Sequence, residues 1–305
     1  KSPKITGIMP GRTGTALGIV IVFFLVFFPN IGPATSVAKH AYFAPSDEWC
    51  EGLSWLRENT PNPFDNPDSY YDFYEPPPPG ESYKYPETAY GVLAWWDYGH
   101  WITRIAHRIP VSNPFQQGIS SVARFFTAQD EASASDIIER LGVRYIIVDK
   151  DVATDKFRAI ATWPENNHKE FFDIYYYQQG DKVVPVVLFH PEYYRAFCVR
   201  LYTFNGETVV PKQCMVISYD EKVGQKGVTY RIITSSQYFP TYEQATAYIS
   251  KQTSGNHKIV SDDPFICPIP LDELKHYSLI YDSKTSAGQV DVGTDSAIKI
   301  FEYRK

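Results

Sequence analysis

An uncharged stretch from Gly14 to Pro33, with the apolar core Leu17-Gly18-Ile19-Val20-Ile21-Val22-Phe23-Phe24-Leu25-Val26-Phe27-Phe28, constrains this chain more than any other feature. A helix needs about 20 apolar residues to cross a bilayer. The run sits at the short end of that range, and Pro29 is expected to limit its helix. Three placements fit. The stretch is a membrane span whose basic flank (Lys1, Lys4, Arg12) faces the cytoplasm, a signal-peptide core followed by the small residues of Pro33–Ala38, or a buried core helix. The span is the reading carried forward. In the first two, everything after about residue 35 lies outside the cytoplasm. The chain begins with Lys, so it is expected to be a fragment or a processed product.

The rest reads as an ordinary globular chain. Of 305 residues, 21% are charged and 44% are apolar, a balance that argues against disorder. The net charge of −6 excludes non-specific nucleic-acid binding, which needs a basic footprint. Aromatic residues are in excess: 23 Tyr, 19 Phe and 6 Trp. Such an excess suits sites for peptides or sugars. Cys50, Cys198, Cys214 and Cys267 have no zinc-site spacing and leave three full pairings open.

Along the chain, residues 46–59 read as a helix capped by Ser46 or Asp47, with Trp49, Leu53 and Leu56 on one face. Eight prolines in 61–86, including Pro76 to Pro79, predict a loop. Seven carboxylates between Phe64 and Tyr98 (Asp65, Asp68, Asp72, Glu75, Glu81, Glu87, Asp97) read mainly as a solvated acidic loop. The alternatives are a divalent-cation site or a surface that meets a basic partner. Asp130 caps a predicted helix that Gly142 closes. Val143–Val148 reads as a buried strand ended by Asp149, and a second helix follows to about Trp163. After about residue 170, short alternating runs at 182–189, 213–219, 227–233, 278–282 and 297–303 predict a β-rich region. One helix interrupts it, opened by Thr241 and Gln244 at capping-box spacing.

No phosphate loop, dinucleotide fingerprint or nucleophile elbow is present. The unusual constellation is Ala94-Trp95-Trp96-Asp97-Tyr98-Gly99-His100-Trp101. Two indoles supply N–H donors, and an ionised Asp97 supplies acceptors only. Together Trp95, Trp96 and Asp97 can saturate one Ser or Thr hydroxyl, with Tyr98 and Gly99 shaping the turn. A ligand without that hydroxyl leaves buried polar groups unpaired, at roughly 1–3 kcal/mol each. The bland alternative is an aromatic cluster in which Asp97 caps a helix running to about Arg108. A second set, Asp149, Val152, Lys156 and Ile160, is spaced to share one helix face.

Trp95-Trp96-Asp97-Tyr98-Gly99 resembles the WWDYG signature of the catalytic subunits of oligosaccharyltransferases, the enzymes of N-linked protein glycosylation. Asp149–Ile160 is similar to the archaeal variant of that family's second motif: Asp149 matches the acid, Lys156 the lysine and Ile160 the apolar position. The chain departs from it with Val152, where archaeal forms often have Met, and with a second acid, Asp151. Ile109–Gly118 and Tyr194–Gly206 also look archaeal. The resemblance spans about residues 15–305.

The resemblance implies that Trp95, Trp96 and Asp97 bind the Ser/Thr of an acceptor Asn-X-Ser/Thr polypeptide. Ile160 would touch the same residue, adding up to about 0.8 kcal/mol for a Thr methyl. Asp149, Lys156, Tyr98 and Gly99 would support the pocket. It also implies a divalent cation, Mn or Mg, held by carboxylates upstream of residue 1, and a lipid-linked oligosaccharide donor. No catalytic residue or metal ligand is then expected within this chain, which would be inactive alone. The localisation implied is the cell membrane.

The expected fold class is α+β: a mainly helical mixed core carrying the WWDYG motif, then a β-rich peripheral region, preceded by a short transmembrane segment. The expected divisions are 1–35 (the end of the last transmembrane helix), 36–205 (the core, with an insertion near 165–190) and 206–305 (the periphery). Two rival functions are a membrane-anchored carbohydrate-binding module, with Trp95, Trp96 and Trp101 as stacking platforms, and a cell-surface structural domain.

Overall fold

A computed structural model describes residues 11–40, 45–70, 75–81, 83–163, 168–224, 227–283 and 298–305. Lys1 and Lys4 of the basic flank, Asp72 of the acidic run and residue 297 of the last predicted strand lie outside them. The chain divides into two compact units, Lys1–Ser46 and Asp47–Lys305.

In the first unit the apolar stretch is helical over Arg12–Val22 and Phe28–His40, joined by a π-helical turn at Phe23–Phe27. The helix therefore continues through Pro29, against the sequence expectation. Proline normally clashes with the carbonyl four residues back. Here that residue, Leu25, lies inside the wider π turn, which makes room for the ring. The neighbouring carbonyl of Val26 accepts from Asn30 Nδ2 at 2.6 Å. The helical span Thr13–Lys39 is 27 residues long, and its most apolar 18 residues have mean hydropathy 2.2 with none of them buried, so its length and composition suffice to cross a membrane. A buried core helix is not what the structure shows.

The second unit is α+β, as the sequence indicates. Its first sheet contains β1 (Gly91–Leu93), β2 (Ile109–Pro110) and β3 (Val143–Asp149). A second sheet is built from β4 (Phe172–Gln179), β5 (Lys182–Phe189), β6 (Cys214–Val223), β7 (Thr229–Phe239) and β8 (Asn256–Val260), in the order β5-β4-β7-β6-β8. The last two strands, β9 (Tyr277–Asp282) and β10 (Ile298–Tyr303), return to the first sheet, whose order is β2-β1-β3-β10-β9. The chain after residue 206 thus serves both sheets.

β1 runs parallel to β2 and β3, while β10 lies antiparallel to β3 with Ile300 opposite Ile147. Val143–Val148 is apolar apart from Arg144 because both faces of β3 are covered. The helix Asp47–Asn59 buries Trp49, Leu53 and Leu56, the face its sequence marks. Asp130 caps the helix Glu131–Arg140, accepting from Ser133 N at 2.8 Å. The second sheet has its own cluster of Tyr175, Leu188, Met215, Ile217 and Val260. Asp65, Asp68, Glu75, Glu81 and Glu87 are exposed, and all four cysteines are free thiols.

This topology places the motifs. In sheets with parallel strands, sites form beyond the strands' C-terminal ends, where neighbouring connections diverge. The WWDYG sequence leaves the end of β1, and Asp149 ends the adjacent β3.

Candidate functional site

Trp95 leaves β1 extended, at φ −61° and ψ 147°. A tight 3-10 turn, Trp96–Tyr98, follows and runs into Gly99–Trp101 and then a π turn, Ile102–Ala106. The turn buries Trp95 and Tyr98 and leaves Trp96 and Asp97 partly exposed. Gly99 is required by close approach: a Cβ there would lie 2.2 Å from the Ser112 carbonyl oxygen and 2.7 Å from Asn113 Cα. Ser112 Oγ in turn donates to the Ala94 carbonyl at 2.9 Å. The segment after β2 is therefore pressed onto the motif.

Asp97 does not cap the helix that follows it, as the bland reading expects; neither the 3-10 turn nor Gly99–Trp101 has a side-chain cap. Instead Lys156 Nζ donates to Asp97 Oδ2 at 2.7 Å and to the Tyr98 hydroxyl at 2.8 Å. The Tyr98 hydroxyl donates to Asp149 Oδ2. Asp149 Oδ1 accepts from Val152 N at 2.8 Å and so caps the next short helix. The predicted helix from Asp149 to Trp163 is interrupted: Lys150–Ala153 and Phe157–Thr162 are separate, with a turn at 154–156. An unbroken helix would set Lys156 by spacing alone. The break lets it reach back over the Tyr98 ring, 4.5 Å from its centre. Four of the expected residues, Asp97, Tyr98, Asp149 and Lys156, thus form one chain of contacts.

Burial pushes the Asp149 carboxyl up to about 6, although the bonds from Tyr98 and Val152 and the Lys156 charge oppose it. Burial and then the Asp149 charge hold Tyr98 far above the ordinary phenol range. Tyr98 therefore stays a phenol, donating to Asp149 while accepting from Lys156. Its ring is held by two residues outside the expected set: Trp49 at 4.2 Å and Trp101 at 5.4 Å between ring centres. Trp49 is visible in the sequence only as a core position, because nothing local ties it to a motif about 50 residues on.

The other oxygen of Asp97, Oδ1, is buried without a hydrogen-bond partner. Among the described residues, neither the Trp95 nor the Trp96 indole N–H makes a hydrogen bond. The arrangement therefore holds one acceptor and two donors in reserve. Ile160 and Val152 are fully buried, so Ile160 presents no surface in this conformation. Among the described residues no three His, Cys, Asp or Glu side chains gather to hold a metal. The Lys156 ammonium also occupies the place beside Asp97 that a cation would take, so these residues do not fit a divalent ion.

The family model of the AglB core domain matches residues 46–153. Dolichyl-phosphooligosaccharide-protein glycotransferase 3 of Archaeoglobus fulgidus is 33% identical over 61% of this chain and 24% of its own length. The dolichyl-monophosphooligosaccharide–protein glycotransferase AglB of Haloferax volcanii is 28% identical over 90% of this chain and 29% of its own. Residues 46–153 therefore carry the core domain of the AglB family of archaeal oligosaccharyltransferases. The chain spans about a quarter of the length of these AglB relatives. The fold is that of a solved Archaeoglobus fulgidus oligosaccharyltransferase, tethered through a disulfide to an acceptor peptide containing the NVT sequon. That structure has a TM-score of 0.53 at 22% identity and covers 97% of this chain and 37% of that one.

Proposed function

We propose that this chain recognises the acceptor of an oligosaccharyltransferase that moves an oligosaccharide from a lipid carrier to the Asn of Asn-X-Ser/Thr. Trp95, Trp96 and Asp97 bind the Ser/Thr hydroxyl: Asp97 Oδ1 accepts its proton, and the indole N–H groups donate to its oxygen. The observation that carries this reading is the split Asp97 carboxylate, with one oxygen fixed by Lys156 and the other buried and unpaired. Such a group costs roughly 1–3 kcal/mol while it lacks a partner, and a hydroxyl supplies one. Lys156, Asp149, Tyr98 and Gly99 orient the pocket. Ile160 meets the Thr methyl once the 150–162 segment shifts about its break at 154–156.

The whole enzyme carries a divalent cation, Mn or Mg, on ligands outside this chain. The chain sits in the cell membrane with residues after about 35 on the extracytoplasmic side. In this proposal residues 36–205 form the recognition core and 206–305 the periphery, except that β9 and β10 complete the core sheet. The lipid-linked donor is met by parts of the enzyme beyond this chain, so turnover by this chain alone with metal and donor would refute that division of labour.

The test is equilibrium binding of a labelled Asn-X-Thr peptide and an Asn-X-Val control to the full chain in nanodiscs, by fluorescence anisotropy. Val keeps the shape and removes the hydroxyl. Leaving one or more buried groups unpaired predicts a preference of about tenfold or more for Thr. Equal binding of both peptides contradicts the proposal.

A further inference from the structure

One helical turn beyond Trp96 and Asp97 stands His100, exposed. Its ring meets that of Phe115 edge to face, at 5.6 Å between centres and 69° between planes. Phe115 is 78% exposed, more than any other Phe, Tyr or Trp among the described residues. A lone exposed apolar residue is ordinary. Phe115 differs in how firmly it is presented and in what it stands beside.

Asn113-Pro114-Phe115-Gln116 closes as a β-turn. Gln116 N donates to the Asn113 carbonyl at 2.8 Å, and Pro114 occupies the position whose φ proline presets. Asn113 Oδ1 accepts from Phe115 N at 2.9 Å, and Asn113 Nδ2 donates to Gln117 Oε1 at 2.9 Å. Gln116 and Gly118 hold the left-handed region, at φ 62° and 73°. The turn is seated at both ends: Gly99 lies against Ser112 and Asn113, and a Cβ on Gly118 would stand 2.1 Å from the Val111 carbonyl oxygen. Fixed in this way, the turn does not let Phe115 fold inward. Its ring faces water, and contact with an apolar partner would remove that surface from solvent.

Position decides the partner. Asp97 and His100 are three residues apart, about 5–6 Å along a helical axis. With the side chains added, Phe115 stands on the order of 10–15 Å from Asp97, a gap that an extended chain crosses in about three or four residues. In the acceptor reading, the Asn of the sequon runs towards a reaction centre on parts of the enzyme beyond this chain. The stretch free to cross His100 and Phe115 is the one that follows the Ser/Thr.

We propose that Phe115, beside His100, receives an apolar side chain of the acceptor polypeptide about two to four residues after the Ser/Thr. The proposal rests on the acceptor reading and adds a preference outside Asn-X-Ser/Thr: acceptors with an apolar residue in that stretch bind more tightly than those with Ser. Burial of about 50 Å² of apolar surface between two such side chains corresponds to a gain of about tenfold.

The test is fluorescence anisotropy with the full chain in nanodiscs. One labelled peptide carries four Ser after Asn-X-Thr. Three others replace the second, third or fourth of these Ser with Leu, and each has a control with Val in place of Thr. At least one Leu peptide is expected to bind about tenfold tighter than the all-Ser peptide. Phe115→Ser should remove that gain and leave the all-Ser peptide unchanged, whereas Phe115→Leu should keep most of it. Tyr238→Ser, at a 59% exposed aromatic on β7, should change nothing. A retained preference for Thr over Val with no gain from Leu at any position overturns this proposal and leaves the acceptor reading standing. A Leu gain that survives Phe115→Ser also overturns it. Equal binding of the Thr and Val peptides overturns both.

Discussion

Gly99→Ala sets two known effects against each other, and their sum tests the geometry of the motif. Gly99 opens a helical turn and has right-handed helical angles, φ −56° and ψ −43°. On propensity alone alanine should stabilise it by up to about 1 kcal/mol. The new Cβ, however, would stand 2.2 Å from the Ser112 carbonyl oxygen and 2.7 Å from Asn113 Cα. Reaching even 3.0 Å from that oxygen means a retreat of 3.0 − 2.2 = 0.8 Å by backbone, which has no rotamer to yield. Overpacking of this kind costs about 1–3 kcal/mol. The retreat also pulls on the buried Ser112 Oγ bond to the Ala94 carbonyl, worth about 1 kcal/mol. The net loss is about 1–3 kcal/mol, a fall in Tm of about 2–12 °C for a unit of this size. Thermal unfolding of the full chain in detergent, followed by tryptophan fluorescence, measures it. An unchanged or raised Tm would refute the close approach and with it the placement of the motif against residues 112–113.

Four further outcomes are expected. Because the folded pKa of Asp149, about 6, lies above its ordinary value of 3.8, the folded protein binds the proton more tightly than the unfolded chain. Its contribution to stability is therefore full below about pH 4 and lost as pH rises to 6, by up to about 3 kcal/mol. Wild-type minus Asp149→Asn stability, measured by urea unfolding between pH 4 and 7, should show that slope, and a flat difference would contradict it. Lys156→Met leaves Asp97 Oδ2 without its ammonium and should cost about 1 kcal/mol, since both side chains are partly exposed; the double variant with Asp97→Asn should recover most of it in the same assay. Trp49→Ala should cost about 3–5 kcal/mol through the cavity beside Tyr98, whereas Trp49→Phe should fold and bind the Thr peptide more weakly. Asp130→Ala should cost about 1 kcal/mol by loss of the Ser133 cap, with peptide binding unchanged.

What could be read from the sequence was what is encoded locally. Asp130, Gly142 and the apolar run of β3 mark their elements because caps and burial act over a few residues. Thr241 likewise caps its helix, accepting from Gln244 N at 3.2 Å. β1 and β2 are three and two residues long, too short for any periodic signal, and they are visible only through their pairing with β3. The pairing of β10 with β3 joins residues about 150 apart, and no local pattern carries such a register. At the site, residue types and spacing brought Asp97, Tyr98, Asp149 and Lys156 into view. Spacing alone put Lys156 on a continuous helix, and the break at 154–156 that aims it at Asp97 was not legible. Trp49 was missed as a site neighbour because its role depends on the fold bringing two distant helices together.

The central claim is that Asp97 and the two indoles receive one hydroxyl. The most direct measurement is ¹⁵N NMR of the full chain in nanodiscs, with the indole N–H signals of Trp95 and Trp96 assigned by substitution. An Asn-X-Thr peptide and its Val control are then titrated in turn. The account predicts that both indole signals move, saturably and downfield, with the Thr peptide, and that Val leaves them in place. Equal movement with both peptides, or none with the Thr peptide while anisotropy reports binding, would contradict it.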